Sequence, residues 1–148
     1  SKKLCKSFID SDHVIEERTG VRVPLIFEYE GEEGFRKRET KALEELVTKK
    51  DIILATGGGI ILKKNNQKLL VDNGFVIYLK ADYDLLASRL RSDRTRPLLQ
   101  GVDIKTKLKN LLEVRDPIYK SIADYVIDTK NKRVTDIVNE IEKIIKQL

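Results

Sequence analysis

Two aspartates separated by one residue, Asp10 and Asp12, follow a short apolar stretch in the segment FIDSD. Side chains alternate between the two faces of a strand, so this spacing can put both carboxylates on one side. Such a pair could hold the waters of a magnesium ion and accept a proton from a substrate hydroxyl. The same residues allow a simpler interpretation, in which Asp12 only caps the helix that follows.

Arginines at three places could bind an anion, because a planar guanidinium binds a carboxylate or phosphate through two parallel hydrogen bonds. Arg36 opens a predicted helix, where the helix dipole favours acids, and Glu39 could hold its guanidinium in place. Arg96 precedes a proline in a predicted loop, from which it could close over phosphate charge. Arg115 is predicted to end a helix just before Pro117, where it could also simply complement the helix dipole. Each of these arginines, taken alone, could instead be a surface residue.

Three consecutive glycines, Gly57, Gly58 and Gly59, follow the apolar run DIILAT. Glycine permits a positive φ and lets a ligand lie against bare backbone amides. A tight turn usually needs only one or two glycines. The run therefore predicts that a ligand comes close to the backbone at the end of a buried strand.

The elements that must position these residues follow from the hydrophobic pattern, in which short apolar runs alternate with longer amphipathic ones. This alternation predicts an α/β fold with a parallel sheet, and ligands bind such sheets at the carboxyl ends of the strands. The predicted strands lie near 7–10, 52–56, 75–79 and 125–128. The predicted helices lie at 13–20, 34–50, 63–74, 82–93, 104–116 and 134–148. No linker divides the chain, so a single domain over 1–148 is expected.

Composition excludes several classes of function for this chain of 148 residues with a net charge of +5. Lys and Arg are interleaved with Asp and Glu, which argues against a nucleic-acid partner. No apolar stretch approaches the roughly 20 residues that span a bilayer, so no membrane association is expected. The lone cysteine, Cys5, is predicted to be a small buried apolar group, and a cytoplasmic location is expected. The lone histidine, His13, is expected to be exposed rather than catalytic.

The segments FIDSD, GEEGFRKRE, LATGGG, RPLL and RDPIY resemble those of the shikimate kinases, in the same order and at about the same spacings. The resemblance covers the chain from its first residues to its last helix. It implies a nucleoside-monophosphate-kinase-like fold, a three-layer parallel sheet with flanking helices. It also implies a phosphotransferase with an alcohol acceptor, which uses ATP and Mg²⁺ to phosphorylate the 3-hydroxyl of shikimate in aromatic amino-acid biosynthesis. The enzyme would be a monomer.

The resemblance also implies roles for individual residues. Asp12 would contact the shikimate hydroxyls and orient or deprotonate the nucleophile, and Asp10 would support the water shell of the magnesium ion. Arg36 and Arg115 would bind the shikimate carboxylate. Arg96 would stabilise charge on the transferring phosphoryl group.

Further residues are implied to form the substrate pocket or to close it. Those assigned to the substrate pocket are Gly57, Gly58, Gly59, Glu39, Phe27, Phe35 and Leu98. Arg89 falls near the arginine that stacks on adenine in the family. Residues from about 92 to 103 would form a lid.

One part of the family pattern is missing, because the family begins with a strand and a phosphate-binding loop, G-x-x-x-x-G-K-[ST]. None of the eight glycines here is followed by lysine. The chain is therefore expected to be part of a longer protein, to lack a strand from the middle of the sheet, and to be inactive on ATP by itself. Two alternatives stay open: a shikimate-binding or regulatory module without turnover, and another small-molecule kinase such as a gluconate kinase.

Overall fold

The computed structural model describes residues 4–81, 86 and 104–148. Strands and helices alternate along them, and all four predicted strands form within two residues of their predicted bounds. The elements are β1 Ser7–Asp10, α1 Ser11–Thr19, α2 Val23–Leu46, β2 Ile52–Ala55, a 3₁₀ helix Gly58–Leu62, α3 Lys64–Asn73, β3 Ile77–Lys80, α4 Ile104–Ile122, β4 Tyr125–Asp128 and α5 Val134–Ile145. The predicted helix 82–93 lies outside the described residues apart from Leu86. Among the described helices, none is long and apolar enough to cross a membrane.

The strands form two parallel pairs, β1 with β2 and β3 with β4. In the first pair Ser7 lies opposite Ile52 and Asp10 opposite Ala55. This register brings the carboxyl ends of β1 and β2 to the same edge, so the aspartate segment and the glycine run start side by side. The α/β class with parallel strands is confirmed. Within the described residues no hydrogen-bonded ladder joins the two pairs, and the expectation about a central strand stays a prediction.

Helix α1 begins directly at the end of β1. The Asp10 carboxylate caps it by accepting hydrogen bonds from the backbone N–H of Asp12 at 2.9 Å and of His13 at 3.4 Å. The helix stops at Gly20, which has a left-handed φ of 73° and donates its N–H to the Glu16 carbonyl at 2.8 Å. The interpretation in which Asp12 is the cap is therefore wrong. The side chain of Asp12 is left to face the glycine run.

Helix α2 is longer than predicted, since it runs from Val23 to Leu46 rather than over 34–50. Pro24 lies in the first turn of the helix, where proline is tolerated because its missing N–H has no partner anyway. Gly31, with φ 68° and ψ −178°, kinks the helix in the middle and interrupts the periodic pattern. Arg36 therefore lies just over a turn after this kink and does not open the helix.

Helix α4 continues through Pro117 to Ile122, although the proline was predicted to end it. A proline inside a helix costs about 3 kcal/mol or more. Ile118 and Ile122, beyond the proline, pack against the buried cluster around Leu43. Burying such a side chain stabilises a protein by about 1.5–3 kcal/mol, so packing of this turn offsets the cost of the proline. Arg115 lies inside the helix as a result, not at its end.

Two buried clusters of the core, as far as the structure describes the chain, include side chains of α2. One joins Ile15 of α1 to side chains of α2, and the other joins Leu43 of α2 to Ile60 and Ile61 of the 3₁₀ helix. Cys5 lies outside these layers, in the turn before β1, and is exposed. The prediction that it is buried is wrong.

Candidate active site

The three glycines lead from β2 into the 3₁₀ helix, at the edge where β1 leads into α1. None of them has a positive φ, which among the described glycines occurs only at Gly20 and Gly31. The run therefore does not use the positive φ that glycine permits. Close approach is what requires glycine here, because a Cβ at any of the three positions would come within 3.0 Å of another side chain.

Each glycine faces a different side chain. A Cβ on Gly59 would overlap the guanidinium of Arg36. A Cβ on Gly58 would lie 2.8 Å from the hydroxyl of Tyr119 and 3.6 Å from Nη1 of Arg115. The run of glycines is thus covered by charged and polar side chains of the protein itself, and the approach of a ligand stays a prediction.

Arg36 is buried, with 11% of its side chain exposed, and its guanidinium is held by two carboxylates. Its Nη1 lies 2.8 Å from Oε2 of Glu39, and its Nη2 lies 3.3 Å from Oε1 of Glu32. The guanidinium carbon also lies 5.5 Å from the centre of the Phe35 ring. The prediction that Glu39 holds Arg36 in place is confirmed. A guanidinium fixed in this way is prepared to bind an anion, because little side-chain freedom remains to be lost.

The two neighbouring cations are directed elsewhere. Lys37 Nζ pairs with Glu33 at 2.9 Å, and Arg38 Nη2 pairs with Glu30 at 2.6 Å. Successive positions on a helix point in different directions, so only one of three consecutive side chains reaches a given spot. Of the three, Arg36 alone faces the glycines.

Glu39 is completely buried between Arg36 and Asp12. Burial raises the pKa of Glu39 above its ordinary value; the hydrogen bond and charge of Arg36 oppose the rise, and the charge of Asp12 adds to it. Its Oε1 has no hydrogen-bond partner among the described residues and lies 3.3 Å from where a Cβ of Gly57 would stand. A buried carboxylate oxygen without a partner is costly, and a bound hydroxyl would satisfy it.

Asp12 completes this side of the site. Its Oδ1 lies 2.9 Å, and its Oδ2 3.3 Å, from the position that a Cβ of Gly57 would take. Asp10 is exposed and engaged in capping α1. Among the described residues there is no group of three His, Cys, Asp or Glu side chains that could hold a metal. The assignment of Asp10 to the water shell of a magnesium ion stays a prediction.

Helix α4 brings Arg115 and Tyr119 to the other part of the turn. The Tyr119 hydroxyl donates a hydrogen bond of 2.6 Å to the Gly58 carbonyl, and its ring stacks on Tyr78 with centroids 4.8 Å apart. Sequence analysis missed Tyr119. The signal was its spacing of four residues from Arg115, which puts both on one helix face. Ending the predicted helix at Pro117 concealed that spacing.

The two phenylalanines that were assigned to the substrate pocket pack on each other, with ring centroids 4.8 Å apart. Phe35 is 4% exposed and belongs to the core cluster of α1 and α2, and Phe27 packs against that cluster. Their direct contribution to a pocket stays a prediction. Arg89, Arg96, Leu98 and the lid at about 92–103 lie outside the described residues.

A surface cleft of about 430 Å³ lies elsewhere, between α1 and α2, and does not include the glycines. Two arginines line it, and both are paired: Arg18 with Glu45 at 2.6 Å, and Arg38 with Glu30 at 2.6 Å. At the glycine turn, by contrast, Oε1 of the buried Glu39 has no hydrogen-bond partner among the described residues, which makes the turn the stronger candidate for a binding site.

Comparison with known proteins gives a consistent result. The sequence profile described as shikimate kinase matches residues 1–146. The shikimate kinase of Burkholderia lata is 49% identical over 141 residues, which cover 95% of this chain and 77% of that protein. The Burkholderia thailandensis shikimate kinase is 50% identical with the same coverage.

Solved structures agree with the sequence matches. The shikimate kinase from Acinetobacter baumannii in complex with shikimate has a TM-score of 0.95 and 43% identity, covering 99% of this chain and 82% of that chain. The shikimate kinase from Aquifex aeolicus has a TM-score of 0.84 and 29% identity, covering 99% of this chain and 84% of that chain.

Proposed function

The chain belongs to the shikimate kinase family, and we propose that the side chains around its glycine turn bind shikimate and prepare its hydroxyl for phosphorylation. The function of the family is ATP-dependent phosphorylation of shikimate, with Mg²⁺ as the metal ion. The observation that carries the proposal is the convergence of Asp12, Arg36, Glu39 and Arg115 on three glycines that leave the backbone bare.

Two arginines are proposed to bind the carboxylate of shikimate. Arg36 approaches the turn at Gly59 and Arg115 approaches it at Gly58, so two guanidinium groups from different helices meet at neighbouring residues. Arg36 is already fixed by Glu39, and a fixed fork loses less conformational freedom when it binds. A carboxylate is the small anionic group that matches this planar geometry.

Asp12 is proposed to act on the reacting hydroxyl. It lies at the start of α1, beside Gly57, where its carboxylate can accept a hydrogen bond from a hydroxyl bound on the turn. It can then take the hydroxyl proton as the hydroxyl oxygen bonds to the γ-phosphorus and the bond between that phosphorus and the departing ADP breaks. The free Oε1 of Glu39 can accept a hydrogen bond from a second hydroxyl. When bound, ATP supplies the phosphoryl group and Mg²⁺ offsets its charge, so this chain's own residues contribute mainly positioning.

Two measurements test this function on the protein produced with the phosphate-binding loop of its family, because the 148 residues of this chain contain no such loop and are expected to be inactive on ATP by themselves. The first is shikimate-dependent release of ADP in a coupled assay, with gluconate as the control acceptor. The second is calorimetric titration with shikimate, which tests the binding site without requiring turnover. We expect shikimate, and not gluconate, to support ADP release and to bind.

Each alternative predicts a different pattern of results. Shikimate binding without ADP release would favour a binding or regulatory module. ADP release with gluconate alone would favour a different small-molecule kinase. Failure of shikimate in both measurements would refute the proposal.

We further propose that the protein works in the cytoplasm as a monomer, with no nucleic-acid or membrane partner. Interleaved charges along the sequence and a substrate that is a small anion support this assignment. Light scattering coupled to size-exclusion chromatography measures the molar mass in solution. A mass of twice the chain or more would contradict the monomer.

A further inference from the structure

Tyr119 makes a hydrogen bond that none of the roles above requires. Its hydroxyl donates to the backbone carbonyl of Gly58 at 2.6 Å, across 61 residues of sequence. The bond joins α4 to the middle of the glycine turn. The bond lies where the backbone itself is proposed to meet the substrate.

This bond fixes the direction of the whole peptide unit between Gly58 and Gly59, not only that of the Gly58 carbonyl. A peptide unit is planar, and the described chain contains no cis peptide bond, so the Gly58 carbonyl and the Gly59 N–H lie in one plane and point in opposite directions. Glycine has no Cβ to restrict φ and ψ, so a peptide between two glycines could otherwise rotate. By holding the carbonyl, Tyr119 therefore also sets the direction of the Gly59 N–H. A side chain from a distant helix supplies the restraint that the glycines lack.

The ring of Tyr119 is itself positioned by a second tyrosine. Its ring stacks on Tyr78 at an interplanar angle of 27°. Tyr78 in turn donates its hydroxyl to Oδ1 of Asp116 at 2.9 Å, and Lys120 pairs with the same carboxylate at 2.5 Å. Asp116 and Lys120 thus fix the ring of Tyr78, and Tyr119 stacks on that ring. This arrangement restricts the rotamers of Tyr119 and aims its hydroxyl at the turn.

Arg115 lies next to the same hydroxyl. Burial raises the pKa of Tyr119 above its ordinary value, and the charge and hydrogen bond of Arg115 oppose that rise. The neutral hydroxyl can donate to the Gly58 carbonyl, while its oxygen can accept from Arg115. Tyr119 therefore stands between the glycine turn and one of the two proposed carboxylate-binding arginines.

We propose that Tyr119 is a positioning residue, which orients the Gly58–Gly59 peptide and the Arg115 guanidinium for shikimate without touching the reacting atoms. The proposal rests on the proposed function, because it deepens the account of the same site. Loss of the hydroxyl leaves the ring stack and its packing in place. It should therefore weaken shikimate binding while leaving ATP binding and the chemical step nearly unchanged.

The test compares Tyr119→Phe with wild type and with Tyr125→Phe. Tyr125 is an exposed tyrosine on β4 and is the matched control for loss of a hydroxyl. Calorimetry measures the shikimate Kd, the ADP-release assay measures both KM values and kcat, and thermal unfolding monitors the fold. For Tyr119→Phe we expect the shikimate Kd to rise about three- to tenfold, the effect of one lost hydrogen bond. The ATP KM and kcat should stay within about twofold of wild type.

The outcomes separate this proposal from the function on which it rests. Normal shikimate binding by wild type and an unchanged Kd in Tyr119→Phe would overturn the positioning role alone. Equal rises in the shikimate and ATP KM values with a lower unfolding temperature would overturn it too, since that pattern indicates a purely structural role. No shikimate binding by wild type would overturn the proposed function, and the positioning role with it.

Discussion

Replacing Gly59 by alanine tests the main conclusion about the glycine run. That conclusion is that glycine is required there because other side chains of the protein pack directly against the backbone. The new methyl group would overlap the guanidinium of Arg36. That guanidinium cannot simply swing into solvent at no cost, because it is 11% exposed and bound to Glu39 at 2.8 Å. The substitution must therefore displace Arg36 or distort the turn.

The size of the effect follows from these contacts. Overpacking a filled site costs about 1–3 kcal/mol. Breaking a hydrogen bond to a charged group costs about 1.5–3 kcal/mol. The two costs are alternatives in part, since moving Arg36 relieves the overlap. We therefore expect Gly59→Ala to lower the free energy of unfolding by about 2–4 kcal/mol and to weaken shikimate binding at least about tenfold.

Gly74→Ala is the matched control. Gly74 has an extended backbone, with φ −160° and ψ 168°, and the nearest atom to a Cβ there is the Leu70 carbonyl oxygen at 3.8 Å. Replacing a glycine by alanine at such a position is neutral or stabilises by up to about 1 kcal/mol, through the unfolded state. The two substitutions add the same methyl group and should act in opposite directions.

Urea unfolding followed by far-ultraviolet circular dichroism measures both variants, since the chain has no tryptophan to report by fluorescence. Calorimetry gives the shikimate Kd of each. If Gly59→Ala were as stable as Gly74→Ala and bound shikimate normally, Arg36 would not be confined against the turn. The explanation of the glycine run by side-chain packing would then be refuted.

Three further predictions concern the charged groups of the site. Asp12→Asn should lower kcat by about a hundredfold or more while leaving the ATP KM nearly unchanged, because it removes a general base; normal turnover in the ADP-release assay would remove that role. Arg115→Lys should raise the shikimate KM about tenfold through loss of the planar fork, whereas Arg18→Lys, at an exposed pair, should not; equal KM values would contradict the carboxylate assignment. Burial holds the pKa of Glu39 above its ordinary 4.5, so the folded protein keeps this proton at pH values where the unfolded chain has lost it. The free energy of unfolding should therefore fall as the pH rises from 4.5 through the raised value, and Glu39→Gln should remove that part of the fall; the same slope in both proteins would argue against the raised pKa.

Much of the fold could be predicted because its signals are local. Alternating apolar runs marked all four strands, and Gly20 marked the end of α1. The failures came where tertiary packing outweighed a local signal. Pro117 was taken as a helix end, but the turn beyond it is held by contacts with the core. The first part of α2 was not predicted, because the kink at Gly31 interrupts the hydrophobic periodicity without ending the helix.

The sequence by itself determined the order of the elements, the family, and the candidate residues Asp12, Arg36, Glu39 and Arg115, because periodicity and motif spacing are properties of neighbouring residues. It also singled out the glycine run, but not the reason for it.

Only the tertiary structure decided what lies against those glycines. Arg36 comes from α2, and Tyr119 reaches Gly58 across 61 residues of sequence. Such contacts depend on how helices pack over the ends of strands, which no local pattern encodes. Glycine is required at these positions because other helices place charged and polar side chains against them, and this contact forms only when the chain folds.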